Sequence, residues 1–183
     1  MIKGGSDMYQ GELVRLRAYR KDDLPKIQMF LNDFEVRTLT QSTTPYPYTL
    51  EDEEKWYESN TALKDTYTFA IETLDGVFLG GCGINSIDWK SSKVELGILI
   101  GNKEYWGKGY GTDAVKLLIK FIFEEMNINK IYLNVFSHNK RAIKSYKKCG
   151  FIVEGTLREE GFHNGKYYDD IYMGILKSEY FSK

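Results

Sequence analysis

The segment from Tyr105 to Thr112 is the part of the sequence best suited to bind a ligand through its backbone. It reads Tyr-Trp-Gly-Lys-Gly-Tyr-Gly-Thr, so Gly107, Gly109 and Gly111 occupy alternate positions. Glycines allow a tight turn whose backbone N–H groups point inward, and a helix that begins after the turn adds the positive end of its dipole. Such a turn binds phosphate oxygens without needing basic side chains. The alternative is a turn that only connects a strand to a helix.

This glycine-rich segment differs from the two common nucleotide-binding motifs. A Walker loop requires Gly-Lys-Ser/Thr at a fixed spacing, which this segment lacks. The Rossmann fingerprint has another glycine spacing and is followed by an acidic residue for the ribose. We therefore expect another phosphate-bearing ligand, with direct binding of a nucleotide such as ATP as the alternative.

A second polar motif lies further along the chain, from Asn139 to Phe151. In a helix that begins near Asn139, Ala142 and Tyr146 lie on the Asn139 side, at i+3 and i+7. The Asn139 amide could hydrogen-bond a ligand amide, and the small Ala142 would allow the ligand to approach. The Tyr146 hydroxyl could then protonate a leaving group. The alternative makes Asn139 the N-cap of the helix and Tyr146 a core residue.

Hydrophobic periodicity places both motifs in a mixed α/β protein rather than an all-parallel Rossmann array. The central strand is the nearly continuous apolar one that precedes the glycine-rich turn. The predicted helices begin near Asp22, Thr49, Thr112 and Asn139. The predicted strands are Glu12–Arg17, Tyr67–Thr73, Val77–Ile87, Lys93–Ile100, Lys130–Phe136, Phe151–Arg158 and Tyr167–Leu176, with hairpin turns at Leu74–Gly76 and Asn164–Gly165.

Taken together, the motifs resemble the GNAT superfamily of N-acetyltransferases over almost the whole chain. The resemblance rests on a strand, a Gly-rich turn, a helix and a strand, followed by Asn-x-x-Ala-x-x-x-Tyr-x-x-x-Gly-Phe. The Tyr105–Gly111 stretch and Asn32–Arg37 are most similar to the RimJ/RimL branch, whose members acetylate protein N-termini. The wider family has Gln/Arg-x-x-Gly-x-Gly/Ala in this turn. Gly109 and Gly111 match that pattern, whereas Trp106 stands at its first position, as is common in the branch.

The resemblance implies one acetyltransferase domain over residues 1–183, with residues 1–8 as a disordered tail. The implied fold is α/β (α+β), with a mixed, mostly antiparallel central sheet and helices on both faces.

The resemblance also implies a site for acetyl-CoA, the co-substrate, without a metal. The end of the central strand would pair with the pantetheine arm through its backbone, and the glycine-rich turn would wrap the pyrophosphate. Asn139 would contact the pantetheine amide region, and Tyr146 would lie near the thioester sulfur as the general acid. The implied cofactor-binding residues are Leu99, Ile100, Gly101, Trp106, Gly107, Lys108, Gly109, Tyr110, Gly111, Thr112, Asn139, Ala142 and Tyr146.

Glu95 is the second implied catalytic residue, beside Tyr146. It matches a strand position where some relatives carry a glutamate that takes the proton of the amine, usually through water. An alkylammonium has a pKa of about 10 and must lose a proton before it attacks a thioester. Backbone N–H groups at a strand irregularity could stabilise the oxyanion, so no covalent enzyme intermediate is needed. The alternative for Glu95 is a strand carboxylate that faces solvent.

The two cysteines and two histidines of the chain are expected to have structural rather than catalytic roles. Cys82 and Cys149 lack an evident neighbouring base and are expected to be packed thiols rather than nucleophiles. His138 and His163 are expected to be structural or on the surface, with His163 the better candidate to touch the substrate. Two histidines and two separated cysteines give no zinc or His-rich metal site.

The acceptor is expected to be a protein or peptide N-terminus or another small primary amine. A polyamine is the alternative, because the segment from Glu154 to Asp170 is similar to bacterial spermidine acetyltransferases, although the neutral Gln41–Pro45 replaces acidic residues of those relatives. A non-catalytic CoA-binding regulatory module is the alternative of another class. The carboxylates that could hold spaced ammonium groups are Glu159, Glu160, Asp169 and Asp170.

The composition of the chain argues against nucleic acid and membrane as partners. The chain has 25 Lys and Arg against 26 Asp and Glu, a net charge of −1 that argues against nucleic-acid binding. It has no long apolar run and no signal-like N-terminus, so we expect no membrane contact and a cytoplasmic location. The aromatic residues Tyr46, Tyr48, Trp56 and Tyr57 are expected to form either an acceptor wall or a homodimer contact.

Overall fold

The computed structural model describes residues 9–60 and 67–182, and the expected tail over residues 1–8 lies outside the described residues. The strands are β1 (Tyr9–Gln10), β2 (Val14–Arg17), β3 (Thr68–Thr73), β4 (Phe78–Asp88), β5 (Lys93–Ile100), β6 (Lys130–Phe136), β7 (Ile152–His163) and β8 (Lys166–Leu176). These eight strands form one sheet in the order β1-β2-β3-β4-β5-β6-β8-β7. The helices are α1 (Leu24–Leu31), α2 (Phe34–Thr40), α3 (Leu50–Asn60), α4 (Tyr110–Glu125), α5 (Lys140–Cys149) and α6 (Lys177–Phe181).

The sheet is mixed and mostly antiparallel, which confirms the predicted fold class. Within the described strands, only β5 and β6 run parallel to each other. Helices α4 and α5 cover one face and bury the larger core, which includes Leu118 and Ile131. On the other face, α1 and α3 cover a smaller cluster around Phe30 and Phe78. The apolar stripe predicted for α4 supplies much of the larger core.

Three elements of the structure were not predicted from the sequence: β1, α2 and α6. Helix α2 is short, and it begins because Asp33 Oδ1 accepts hydrogen bonds from the backbone N–H groups of Glu35 and Val36, at 3.0 and 3.2 Å. Strand β7 continues past the predicted end at Arg158, because an irregularity between Leu157 and Gly161 breaks its alternation without ending the pairing.

The seam between β5 and β6 is the main irregularity of the sheet. Their register covers three positions and ends at the pair Glu95 and Tyr132. Strand β5 then continues along β4 as far as Ile100, while β6 continues along β8 as far as Phe136. The sheet therefore opens between the two strands beyond Glu95, and we call this opening the β5–β6 cleft. Backbone polar groups at such an opening need partners other than a neighbouring strand.

None of the helices within residues 9–60 and 67–182 combines the length and the apolar character that crossing a membrane requires.

One carboxylate fixes the start of α4 to the sheet. Asp113 Oδ2 accepts hydrogen bonds from the backbone N–H groups of Leu13 and Val14, at 2.8 and 3.0 Å. Gly11 leaves room for this contact, because a Cβ there would lie 2.5 Å from the Asp113 carboxylate. The N-terminal end of α4, which borders the β5–β6 cleft, is thereby held against β2.

We predict that Asp113→Ala lowers the free energy of unfolding by about 2 kcal/mol, because two partly buried N–H groups lose their acceptor. Urea denaturation measures the change. Lys116→Ala is the matched control, since Lys116 is exposed on the same helix and its removal should change stability by less than about 0.5 kcal/mol. Equal unfolding midpoints for Asp113→Ala and the wild type would contradict the assigned role.

Candidate functional site

A cavity of about 890 Å³ occupies the β5–β6 cleft. Its walls come from β5, β6, the glycine-rich turn, the first turn of α4 and one side of α5. Residues 39–43, which are the last two residues of α2 and the three that follow it, close the cavity from another side. A cavity of this size suits a small organic ligand.

The cavity brings together both predicted catalytic residues and most of the predicted cofactor-binding residues. These residues come from four separate elements and meet only because the sheet opens at this point. Those that line the cavity are Glu95, Ile100, Trp106, Gly107, Gly109, Gly111, Thr112, Asn139, Ala142 and Tyr146.

Four predicted residues do not line the cavity: Leu99, Gly101, Lys108 and Tyr110. Leu99 packs against the smaller core on the other face. Gly101 lies against Phe30, and its N–H already donates to the Leu79 carbonyl at 2.9 Å. The ring of Tyr110 packs edge-on against Tyr105.

The pairing of the pantetheine arm with the backbone of Leu99 to Gly101 stays a prediction. Of these three residues only Ile100 lines the cavity. The alternation of side chains along β5 turns the Leu99 side chain to the opposite face of the sheet. The residues of β5 that line the cavity are Glu95, Leu96, Gly97, Ile98 and Ile100.

The glycine-rich turn has the conformation that its glycines were expected to allow. Gly107 and Gly109 have φ angles of 74° and 97°, in the left-handed region, and α4 begins directly after Gly109. Trp106 anchors the turn, because its indole Nε1 donates a hydrogen bond to the Ile100 carbonyl at 2.7 Å. The turn thus presents the N-terminus of a 16-residue helix to the cavity.

Basic side chains of α5 also face the cavity, a contribution that was not predicted from the sequence. Five of the ten residues of α5 are Lys or Arg, which was the available signal. The Arg141 guanidinium lies 3.6 Å from the centroid of the Trp106 ring, so it stacks on the turn. The cavity-lining cations are Lys140, Arg141, Lys144 and Lys148, and they make this end of the cavity electropositive.

Asn139 performs the capping role that was the alternative to ligand binding. Its Oδ1 accepts a hydrogen bond from the Ala142 N–H at 3.1 Å, and its Nδ2 donates to the Leu39 carbonyl at 3.2 Å. The side chain therefore starts α5 and ties it to the end of α2. Asn139 borders the cavity, and its contact with pantetheine stays a prediction.

Tyr146 lies on α5 beside the cavity and is 8% exposed. Its ring packs edge-on against Phe151. Burial raises the pKa of Tyr146 well above the usual value for a phenol, so the hydroxyl is protonated at neutral pH. A protonated phenol at this position can donate a proton to a ligand but cannot act as a base.

Glu95 is half-buried at the point where the β5–β6 pairing ends. Its Oε2 accepts a hydrogen bond from the Ser86 hydroxyl at 3.3 Å, and the same hydroxyl lies 3.3 Å from the Tyr132 hydroxyl. Nearby, the bulge of β4 places the Asn85 amide over Gly97, where a Cβ would come within 2.5 Å of Asn85 Oδ1. The strand irregularity that we expected thus lies on β4, next to Glu95.

Only one of the four hairpin carboxylates considered for a polyamine lines the cavity, namely Asp170. Glu159, Glu160 and Asp169 instead line a separate hollow on the hairpin of β7 and β8. There Asp169 Oδ1 accepts a hydrogen bond from the Glu159 N–H at 3.0 Å, so Asp169 supports the bulge of β7.

The cysteines and histidines stay outside the cavity in the described chain. Cys82 and Cys149 are both buried, and burial raises the pKa of the Cys82 thiol far above its usual value, as expected for a packed thiol. His163 is buried against Phe136, with ring centroids 4.7 Å apart, an environment that suits the structural role expected for it. Within residues 9–60 and 67–182, no three His, Cys, Asp or Glu side chains group as a metal site requires.

The four aromatic residues considered for an acceptor wall separate into different environments. Tyr48 lines the cavity, and Arg37 stacks over its ring at 4.7 Å. Trp56 packs edge-on against Tyr19 in the smaller core, with Tyr57 beside it. Tyr46 is exposed. Tyr48 alone of the four belongs to the cavity wall.

Comparison with known proteins gives a consistent set of relatives. Residues 14–152 match the family model of the acetyltransferase (GNAT) domain. The chain is 31% identical to a spermidine N(1)-acetyltransferase of Vibrio cholerae over 92% of this chain and 95% of that protein. The crystal structure of spermidine N-acetyltransferase from Vibrio cholerae in complex with CoA and spermine matches with a TM-score of 0.82 and 30% identity, over 92% and 98% of the two chains. A putative ribosomal N-acetyltransferase of Bacillus subtilis is 32% identical over 58% of this chain and 57% of that protein.

We predict that Arg141→Ala weakens acetyl-CoA binding ~10-fold at low salt, because it removes the stack on Trp106 and one cavity-facing cation. Titration calorimetry at two salt concentrations measures the loss, which should shrink as salt rises. Lys147→Ala is the matched control, since it removes the same charge from a residue of α5 that does not line the cavity. Equal losses in both variants would mean that net charge, and not the position of Arg141, determines the affinity.

Proposed function

Because this chain belongs to the GNAT acetyltransferase family and is an acetyl-CoA-dependent N-acetyltransferase, we propose that its acceptor is an aliphatic polyamine. The GNAT resemblance and the predicted class of reaction are thereby confirmed. The similarity to spermidine acetyltransferases is confirmed as well, whereas the RimJ/RimL branch has weak support, from the partial match to the ribosomal enzyme. A protein N-terminus was the acceptor first expected from the sequence, and we propose the reverse order of preference on the grounds given below.

The observation that carries this proposal is the pair of carboxylates, Glu95 and Asp170, in one cavity. Paired residues of neighbouring strands point to the same face, and the pairs are Glu95 with Tyr132 and Asp170 with Phe136. Tyr132 and Phe136 are an even number of residues apart on β6, so both carboxylates lie on one face of the sheet. Two separated negative charges suit an acceptor with more than one ammonium group.

The electropositive end of the cavity suits the phosphates of the co-substrate, acetyl-CoA. The phosphates of acetyl-CoA would meet the N-terminus of α4, the backbone N–H groups of the glycine-rich turn and the cations of α5. The pantetheine arm would then lie along the stretch of β5 from Leu96 to Ile98, which the early end of the β5–β6 pairing leaves open. This arrangement brings the thioester to the region between Glu95 and Tyr146.

In the proposed reaction, Glu95 accepts a proton from the amine and Tyr146 donates a proton to the leaving thiolate. Glu95, directly or through water, takes one proton from the substrate ammonium, and the free amine attacks the thioester carbonyl carbon. Backbone N–H groups near the β4 bulge stabilise the oxyanion of the tetrahedral intermediate. The carbon–sulfur bond breaks, and Tyr146 gives its proton to the departing thiolate. The second proton lost by the nitrogen restores Tyr146, and the first leaves through Glu95 to water.

We predict that Tyr146→Phe lowers kcat for spermidine acetylation ~10²-fold, because the thiolate then leaves without a proton donor. Release of the CoA thiol measures the rate, and mass spectrometry identifies the acetylated amine. Binding of acetyl-CoA should stay within about 2-fold of the wild type, since the ring is kept. Tyr180→Phe is the matched control, because the Tyr180 hydroxyl bonds Glu124 far from the cavity lining.

The same assay compares spermidine with a peptide that carries a free α-amine. Acetylation of spermidine with at least ~10-fold higher kcat/KM than the peptide supports the polyamine proposal. The reverse preference would contradict it. Equal rates for Tyr146→Phe and the wild type would show that another group protonates the thiolate.

A further inference from the structure

Asp170 has an unusual environment for a carboxylate on a sheet. It lies on β8, between Phe136 of β6 and Leu157 of β7, and it lines the cavity. Its Oδ1 is buried and has no hydrogen-bond partner among the described residues. A buried carboxylate oxygen without a partner is costly, so such an atom is normally matched by a donor. Here no residue in 9–60 or 67–182 supplies that donor, and Asp170 is one of the residues that line the cavity.

We propose that Asp170 binds the second ammonium group of a di- or polyamine acceptor, while Glu95 serves the ammonium group that reacts. This inference rests on the proposed function, and it adds the chemical feature by which the acceptor is selected. Asp170 is then a specificity-determining residue, and a monoamine would leave its carboxylate without a partner.

The charges around Asp170 support this role. Burial, together with the negative charges of Glu160 and Glu95, raises the pKa of the Asp170 carboxyl. Glu160 lies on the bulge of β7 and Glu95 on β5, so negative groups approach Asp170 from both sides of its own strand. The charged form of Asp170 is therefore disfavoured in the free protein, and a bound cation removes that penalty.

The spacing of the two carboxylates also fits an acceptor with two charges. Strand β6 lies between β5 and β8, so Glu95 and Asp170 stand on strands that are not adjacent in the sheet. They share one face of the sheet and one cavity, as the register shows. An extended aliphatic chain with an ammonium group at each end can contact both carboxylates, whereas one ammonium group cannot replace two separated partners.

Asp169 supplies a matched control beside Asp170. Its carboxylate faces the separate hollow on the hairpin and accepts the Glu159 N–H, so it does not line the cavity. Asp169→Asn keeps an oxygen acceptor for that N–H and removes one negative charge from the same strand. Any effect of net charge on polyamine binding would therefore appear in Asp169→Asn and in Asp170→Asn alike.

The test compares 1,4-diaminobutane with n-butylamine, which have the same carbon chain and differ by one ammonium group. In the wild type, kcat/KM should favour the diamine. Asp170→Asn should raise KM for the diamine and for spermidine ~30-fold, leave kcat within ~3-fold, and leave butylamine unchanged. Asp169→Asn should keep the preference of the wild type for the diamine.

The inference is overturned if Asp170→Asn lowers kcat/KM equally for both amines, or if it matches Asp169→Asn. Calorimetric titration of spermidine into the CoA-bound protein separates this inference from the proposed function. If the wild type acetylates no amine, the proposed function fails. In that case, ~10-fold weaker spermidine binding by Asp170→Asn alone supports the inference, and equal binding by all three proteins, or none, overturns it.

Discussion

The early end of the parallel pairing between β5 and β6 is the constraint on which the site depends. The register ends at Glu95 and Tyr132, and each strand then follows its other neighbour. Backbone groups that would normally pair with a strand are left for a ligand. The opening lies in the middle of the sheet, so its walls are made of regular elements and are well fixed.

Hydrogen bonds between distant parts of the chain hold the walls of the cleft in place. Trp106 bonds the Ile100 carbonyl, and Asn139 bonds the Leu39 carbonyl. The hydroxyls of Thr112 and Ser145 lie 2.8 Å apart and join α4 to α5. These residues of the cleft walls therefore stabilise the fold and also lie next to the proposed ligand. Asn139 shows why these two roles are hard to separate, since capping and ligand contact require the same residue in the same place.

Local patterns determined how much of this could be predicted from the sequence. The glycine-rich turn, the long α4 and the Asn164–Gly165 hairpin have strong local signals, and all three are present. Which side chains at the end of β5 face the cavity could not be predicted, because a nearly continuous apolar run carries no alternation that would separate Ile100 from Leu99. Whether Asp169 or Asp170 faces the cavity depends on the register of β8 in the sheet. Which cations of α5 line the cavity depends on the side of that helix that faces the cleft. Neither is visible until the strands and helices are assembled.

A crystal structure of the protein with bound CoA would show whether the ligand occupies the β5–β6 cleft. We predict that the pantetheine arm lies between β5 and β6 and is hydrogen-bonded to the backbone of residues 96–98. The pyrophosphate should contact backbone N–H groups of residues 107–112. CoA bound outside the opening, or a pyrophosphate held only by the ammonium groups of α5, would contradict this prediction.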